Sequence, residues 1–132
     1  MKKNIVIFYT DDQGTVDAGC YGSDDLKTPA LDKLAKEGVR FTQAYAHSVC
    51  CPSRAALLTG RYPQRGGVNH WMSNRADFDH QGNMYKDEIT IAQVLKNKGY
   101  KTAMFGKWHL GAKEGHRPND FGFDEFFGIR CG

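Results

Sequence analysis

Hydrophobic positions along the chain alternate between strand-like runs and helix-like spacing. Residues 5–9 form an unbroken β-branched and aromatic run, which predicts a strand buried on both faces. Residues 39–45 alternate apolar and polar side chains, which is typical of a strand with one exposed face. Residues 102–105 predict a further short strand.

Three segments have helical spacing between recognisable ends. Residues 28–38 open with a Thr-Pro pair and close on a glycine, as helices commonly do. A second helix is predicted from about residue 52 to residue 59. The third, over residues 90–98, opens with the spacing of a capping box. This alternation predicts an α/β fold with a mainly parallel central sheet flanked by helices, and no separate domain within residues 1–132.

Composition excludes several classes of protein. Of the 132 residues, 40% are hydrophobic and 25% are charged, which is the balance of a folded globular chain. A net charge of +3 is too small to indicate nucleic-acid binding. The longest apolar run is far shorter than the ~20 residues of a membrane span and shorter than a signal peptide needs. We therefore expect a cytoplasmic protein as written, or a periplasmic or secreted one whose leader has been removed.

The four cysteines do not have the spacing of a zinc motif. Cys50 and Cys51 are adjacent, and neighbouring cysteines rarely reach the geometry of a disulfide. Cys20 and Cys131 lie far from them in the sequence. The connection over residues 61–88 has no clear period, and a connection of this length inside a domain is usually functional or poorly ordered.

Two carboxylates directly follow the first predicted strand. Asp11 and Asp12 stand where ligands bind in open α/β sheets, beyond the carboxyl end of a strand. Adjacent carboxylates repel each other unless a cation lies between them, which suits Ca²⁺ or Mg²⁺. The alternative is a polar turn in which one aspartate caps a helix.

A second candidate group surrounds the start of the second predicted helix. Backbone N–H groups there favour an anion, and Arg54 adds a forked cation suited to a tetrahedral oxyanion. A cysteine just before such a site would be a thiolate nucleophile, although most free cysteines are buried small hydrophobes. Lys107 and His109 follow the last predicted strand between two glycines; alone they would suggest an ordinary loop.

Several segments, in this order, resemble the formylglycine-dependent sulfatases of the alkaline-phosphatase-like superfamily. Residues 4–12 are similar to that family's opening strand and metal pair. Residues 48–61 match its signature Cys-x-Pro-Ser-Arg, ending Leu-Leu-Thr-Gly-Arg. Residues 99–109 match its second signature, with Phe105 bulkier than usual. Residues 122–128 are also familiar from these enzymes. The resemblance implies an arylsulfatase-type sulfuric-ester hydrolase.

The resemblance also implies roles for single residues. One residue separates the modified cysteine from the proline, so Cys50 would become the Cα-formylglycine, whose hydrated aldehyde attacks sulfur and later expels sulfate. Asp11 and Asp12 would ligate Ca²⁺, or Mg²⁺, together with an oxygen of residue 50. Arg54 would hold the formylglycine hydroxyl. Lys107 and His109 would bind the sulfate and the diol.

The resemblance further implies partners and a missing part. A formylglycine-generating or anaerobic sulfatase-maturating enzyme would convert Cys50, and the substrate would be a sulfated small molecule or carbohydrate. Further metal ligands and a leaving-group acid lie downstream in the family, so residues 1–132 correspond to its N-terminal portion, which we expect to be inactive when isolated. Two alternatives remain: a phosphonate or phosphate ester hydrolase, and a catalytically dead, truncated anion-binding module.

Overall fold

The computed structural model describes residues 2–72 and 82–131, and it divides the chain into two compact units. The first is Met1–Tyr45 and the second is Ala46–Gly132. The expectation of a single domain across residues 1–132 stays a prediction. In the part of the chain that is described, no helix is long and apolar enough to cross a membrane.

The first unit contains one α-helix, α1, at Pro29–Glu37. Its start confirms the predicted Thr-Pro opening, and its end is the predicted glycine. Thr28 Oγ1 accepts a hydrogen bond from the Gly19 backbone N–H at 2.8 Å, and Asp32 Oδ1 accepts one from the Cys20 N–H at 2.7 Å. The side chains around the first turn of α1 thereby hold the short 3₁₀-helix Gly19–Tyr21 against it.

Two of the predicted strands are wrong for this structure. Residues 5–9 are extended but form no strand, and they are exposed rather than buried on both faces, with Val6 87% exposed. Residues 39–45 likewise form no strand and are exposed. A strand exists only through hydrogen bonds to a neighbouring strand, and residues 2–72 and 82–131 offer these two segments none. Both segments have the apolar pattern of a strand, but among the described residues no partner strand pairs with them.

The second unit contains two helices and a two-stranded parallel sheet. Helix α2 is Cys50–Thr59 and helix α3 is Ile91–Asn97. Strand β1, Ala103–Lys107, pairs in parallel with β2, Glu125–Ile129. Short 3₁₀-helices occupy Pro63–Gly66 and Pro118–Phe121. Within the described residues this is a small sheet accompanied by helices, which agrees with the predicted α/β class and parallel pairing.

Local signals located these elements well, with one omission. The Thr90 and Gln93 capping box is present, with the Thr90 N–H donating to Gln93 Oε1 at 2.8 Å. Helix α2 begins two residues earlier than predicted, at Cys50. Strand β1 confirms the short strand predicted at residues 102–105. Strand β2 was not predicted, because its five residues EFFGI have too short an alternation to indicate a strand.

The core of the second unit lies beneath the end of β1. Trp108 and Leu110 are completely buried, and the Trp108 ring lies 5.6 Å from that of Phe121, centroid to centroid. Cys51 and Ala55 of α2 pack into the same cluster. Because β1 ends and α2 begins at this cluster, the packing fixes both ends relative to each other.

Candidate active site

Residue 50 occupies the first position of α2. Val49 before it is extended, with φ −139° and ψ 162°, so the helix starts abruptly at Cys50. Pro52 takes the third helical position, where a backbone N–H would have no partner within the helix. The Cys50 side chain is half-buried. It therefore lies at the positive end of a helix dipole, which stabilises negative charge on a bound group.

His109 lies just beyond β1 and is fixed through both its backbone and its ring. Its N–H donates to the Arg130 carbonyl at 3.0 Å, which continues the ladder past the end of β2. Its φ of 57° is left-handed, a conformation that non-glycine residues adopt mainly where function requires it. Its ring Nε2 lies 2.7 Å from the Met72 carbonyl oxygen. A carbonyl oxygen only accepts, so Nε2 carries the hydrogen and Nδ1 of the neutral ring has a lone pair.

The lone pair of His109 faces residue 50. Nδ1 lies 3.2 Å from Cys50 Sγ, although the two residues are far apart in the sequence. A nucleophile beside a base, with that base oriented by a third group, is the arrangement of an activated nucleophile. Here the third group is the Met72 carbonyl.

Two cationic residues complete this cluster. Arg54, on α2, is buried, and its Nη1 donates a hydrogen bond to the Lys107 carbonyl oxygen. This bond ties α2 to the last residue of β1. Lys107 is half-buried. The structure thus brings together four of the residues singled out from the sequence: Cys50, Arg54, Lys107 and His109.

Cys51 differs from Cys50 in its surroundings. It is completely buried, and its Sγ accepts a hydrogen bond from the Met72 N–H at 3.2 Å. Burial is the main reason that the pKa of the Cys51 thiol is raised from 9.0 to about 11. The hydrogen bond from the Met72 N–H and the Lys107 charge oppose this rise, and the neighbouring Cys50 thiol adds to it. At neutral pH Cys51 is therefore a protonated thiol, a poor nucleophile.

Sequence reasoning missed Met72, whereas it offered Trp71, in the connection over residues 61–88, as an aromatic residue that could stack on a sugar or pack inside. The hydrogen bonds that Met72 makes to the site come from its backbone, which any residue could provide, so no sequence signal indicated it. The Trp71 ring meets the His109 ring edge to face, with centroids 6.0 Å apart, and it is 45% exposed. In the sequence, Trp71 stands out only as an isolated aromatic residue within residues 61–88, whose hydrophobic positions follow no regular spacing.

Asp11 and Asp12 belong to the first unit. They occupy an exposed bend directly after the extended segment, and Asp12 has a left-handed φ of 56°. Their carboxylates are oxygen donors, which Ca²⁺ and Mg²⁺ prefer. Among the described residues of the second unit, one cluster of possible donors consists of two sulfurs and one nitrogen, from Cys50, Cys51 and His109, a set that hard cations avoid. By donor chemistry, a calcium or magnesium ion fits the aspartate pair.

A half-buried thiol at a helix start, an oriented imidazole and two cations beside a parallel strand are the residue types that a hydrolase-type anion site on an α/β fold would use. The comparison with known families agrees with this class. The Sulfatase family model matches residues 3–130. The chain belongs to the sulfatase family, which confirms the resemblance noted in the sequence.

Individual relatives and solved structures support the same assignment. Steryl-sulfatase of Homo sapiens is 44% identical over 137 residues, covering 97% of this chain and 24% of its own length. The crystal structure of Ps i-CgsB superposes with a TM-score of 0.85 at 42% identity, over 92% of this chain and 27% of that one. A protein solved in complex with its substrate, D-glucosamine-2-N,6-O-disulfate, has a TM-score of 0.68 at 35% identity, over 88% and 21%. The chain thus spans about a quarter of the length of these proteins.

Proposed function

We propose that the protein containing this chain hydrolyses sulfate esters, using a formylglycine made from Cys50. The observation that carries the proposal is the pairing of residue 50 with a ring nitrogen whose tautomer is fixed. Cys50 Sγ lies 3.2 Å from His109 Nδ1, and the opposite ring nitrogen donates to the Met72 carbonyl. A side-chain oxygen at residue 50 would find the same acceptor in place.

Formylglycine supplies a hydrated aldehyde, whose one hydroxyl can attack sulfur while the other later allows sulfate to leave. His109 Nδ1 would accept a proton from a hydroxyl on residue 50, because its lone pair faces that side chain. The Met72 carbonyl would stabilise the resulting imidazolium, since it already accepts the hydrogen on Nε2. The buried position of His109 keeps the ring in one orientation.

Arg54 and Lys107 would bind the charged groups. Arg54 binds the Lys107 carbonyl through Nη1, and its guanidinium would also hold the residue 50 hydroxyl. The Lys107 ammonium would bind sulfate oxygens, where charge builds as the ester bond breaks. Preorganised cations of this kind act in the transition state without needing to reorganise.

In this proposal Asp11 and Asp12 would be ligands of a divalent cation. Bound there, Ca²⁺, or alternatively Mg²⁺, would neutralise sulfate oxygens and lower the pKa of a coordinated hydroxyl. The adjacent carboxylates would supply oxygen ligands, together with an oxygen of residue 50. Calcium takes six to eight oxygens, so these three residues supply only part of its ligands, and the 132 residues alone should lack turnover.

We propose a sulfated small molecule or a sulfated carbohydrate as the substrate class. The relatives include a steryl-sulfatase and a protein solved in complex with a disulfated glucosamine. The half-exposed Trp71 ring beside His109 offers an apolar face to either kind of ring. Conversion of Cys50 would need a formylglycine-generating or an anaerobic sulfatase-maturating enzyme as a partner. The cytoplasmic or exported location stays a prediction.

Kinetics on matched esters test this proposal. The full-length protein, co-expressed with a maturing enzyme, should hydrolyse an aryl sulfate with a higher kcat/KM than the same aryl phosphate. Cys50→Ala should abolish turnover of the sulfate, while Cys51→Ser, the matched change at the neighbouring thiol, should retain it. A preference for the phosphate ester would favour the alternative phosphatase, and an absence of turnover on both esters would favour a dead anion-binding module.

A further inference from the structure

Two thiols and one imidazole converge beneath the start of α2. The Sγ atoms of Cys50 and Cys51 and a ring nitrogen of His109 all lie within 4.8 Å of one another. One of these separations, between Cys50 Sγ and His109 Nδ1, is 3.2 Å. No zinc motif is visible in the sequence, because the third donor comes from the far end of β1.

The backbone of Met72 orients two of the three donors. Its carbonyl accepts the His109 Nε2 hydrogen at 2.7 Å, which leaves Nδ1 able to bind a metal. Its N–H donates to Cys51 Sγ at 3.2 Å. Metal-binding histidines are commonly fixed in this way by a carbonyl on the opposite ring nitrogen. The imidazole thus already has the tautomer that a metal ligand needs.

The donor set and its dimensions suit zinc. Zn²⁺ binds sulfur at about 2.3 Å and imidazole nitrogen at about 2.0 Å in a tetrahedron, which puts neighbouring donors roughly 3.5–3.8 Å apart. We propose that, while Cys50 is still a thiol, Cys50, Cys51 and His109 form a Zn²⁺ site. Three protein ligands leave the fourth position to water. The half-buried Cys50 lies on the accessible side of the site, since Cys51 and His109 are completely buried.

The charges balance in this site. On binding, each thiol releases its proton to solvent, and the two thiolates neutralise the charge of the ion. A coordinated thiol is deprotonated by the metal itself, so zinc can bind even though burial keeps the free Cys51 thiol protonated. The nearby Lys107 ammonium stabilises thiolate at Cys51 and does not compete as a ligand.

The zinc site distinguishes two forms of the protein. Conversion of Cys50 to an aldehyde removes one of the three donors, which leaves Cys51 and His109. This consequence rests on the proposed formylglycine, whereas the zinc site rests on the unmodified residues alone. Zinc would therefore protect the unconverted thiols from oxidation and would block any conversion of Cys50 in the folded chain.

A zinc titration of the unmodified, full-length protein tests the proposal. Expressed without a maturing enzyme, the protein should bind one Zn²⁺ per chain in competition with a chromophoric chelator. Bound Co²⁺ in place of zinc should show thiolate-to-metal charge-transfer absorption. Cys51→Ser, which keeps an acceptor for the Met72 N–H, should weaken binding by at least about 100-fold, since even losing an outer-shell partner costs 10–100-fold. Cys131→Ser, at an exposed cysteine outside the cluster, is the matched control.

Labelling of the wild-type protein provides a second readout that needs no variant. Zinc should slow alkylation of Cys50 by iodoacetamide, located by peptide mass spectrometry, and should leave alkylation of Cys131 unchanged. Zinc affinity unchanged in Cys51→Ser, or Cys50 labelling unaffected by zinc, would overturn the proposal. Both readouts use unconverted protein and measure no turnover, so their failure is distinct from failure of the sulfatase proposal.

Discussion

At the residue scale, the adjacent residues Cys50 and Cys51 differ in burial and in the groups that they contact. Cys50 faces His109 and is half-buried, whereas Cys51 lies in the core under the Met72 N–H. The sequence could assign position 50 only through the family signature, because residue types alone do not say which thiol points outward. The tautomer of His109 could not be predicted either, since it depends on a backbone carbonyl 37 residues away in sequence.

A substitution at Arg54 can test whether the proposed site needs only a positive charge or also the forked shape of the guanidinium. In Arg54→Lys the charge remains, but a single ammonium cannot both bind the Lys107 carbonyl and hold the residue 50 hydroxyl. We expect kcat of the mature enzyme to fall by on the order of 10²–10³, as for loss of one preorganised donor. Steady-state kinetics should measure kcat for Arg54→Lys and for Arg65→Lys, which is the same change at an exposed position and serves as the control. A kcat for Arg54→Lys within about threefold of wild type, well under that effect, would contradict the role proposed for Arg54 in catalysis.

At the scale of elements, the second unit follows its local signals closely. The capping box of α3 is as expected because it depends on neighbouring residues. The short strand β1 is as expected because β2 provides the strand that pairs with it. The predicted strands at residues 5–9 and 39–45 fail, because pairing depends on other segments and not on the alternation itself. Strand β2 was missed for the same reason, since its identity as a strand comes from its pairing with β1.

The link between α3 and β2 should depend on pH through Asp124. Its Oδ1 lies 2.7 Å from Lys96 Nζ, and its Oδ2 accepts a hydrogen bond from the Thr102 N–H at 3.0 Å. The Lys96 hydrogen bond and then the Thr102 N–H lower the pKa of Asp124 from 3.8 to about 2. Because the folded pKa is below the unfolded one, this carboxylate stabilises the fold above pH 4 and stops doing so as the pH falls through about 2.

Thermal unfolding of Asp124→Asn as a function of pH measures that contribution. The variant should have a lower Tm than wild type at neutral pH, and the two values should converge as the pH falls from about 4 to about 2. Lys101→Ala, at an exposed lysine near β1, controls for general charge effects. A difference in Tm that stays constant over that range would contradict the role given to Asp124.

At the scale of the whole molecule, the residues of the proposed chemistry come from both units. The second unit holds residue 50 and its partners, and the first holds the aspartate pair. Residues 5–9 expose five apolar side chains in a row, among them Phe8 at 86% exposure. Exposed apolar runs of this kind normally mark surfaces that pack against other protein. The chain matches about a quarter of the length of its relatives, and the proposed activity is that of the longer protein.

The metal prediction is therefore made for the full-length protein. Asp11→Ala and Asp12→Ala should each abolish the rise in Tm that Ca²⁺ gives the wild type, together with sulfate turnover, because each removes an oxygen ligand from the cation. Asp24→Ala is the matched control, since Asp24 and Asp25 form a second exposed pair of adjacent carboxylates. Full turnover in excess chelator would contradict a metal-assisted reaction.

The central claim is that residue 50, once converted, is the nucleophile. The most direct measurement combines peptide mass spectrometry with active-site kinetics on batches of full-length protein matured to different extents. Conversion should appear as a loss of about 18 Da at residue 50, and kcat on an aryl sulfate should rise in proportion to the converted fraction, extrapolating to zero for the thiol. An aldehyde found at Cys51, or turnover independent of the converted fraction, would contradict the account.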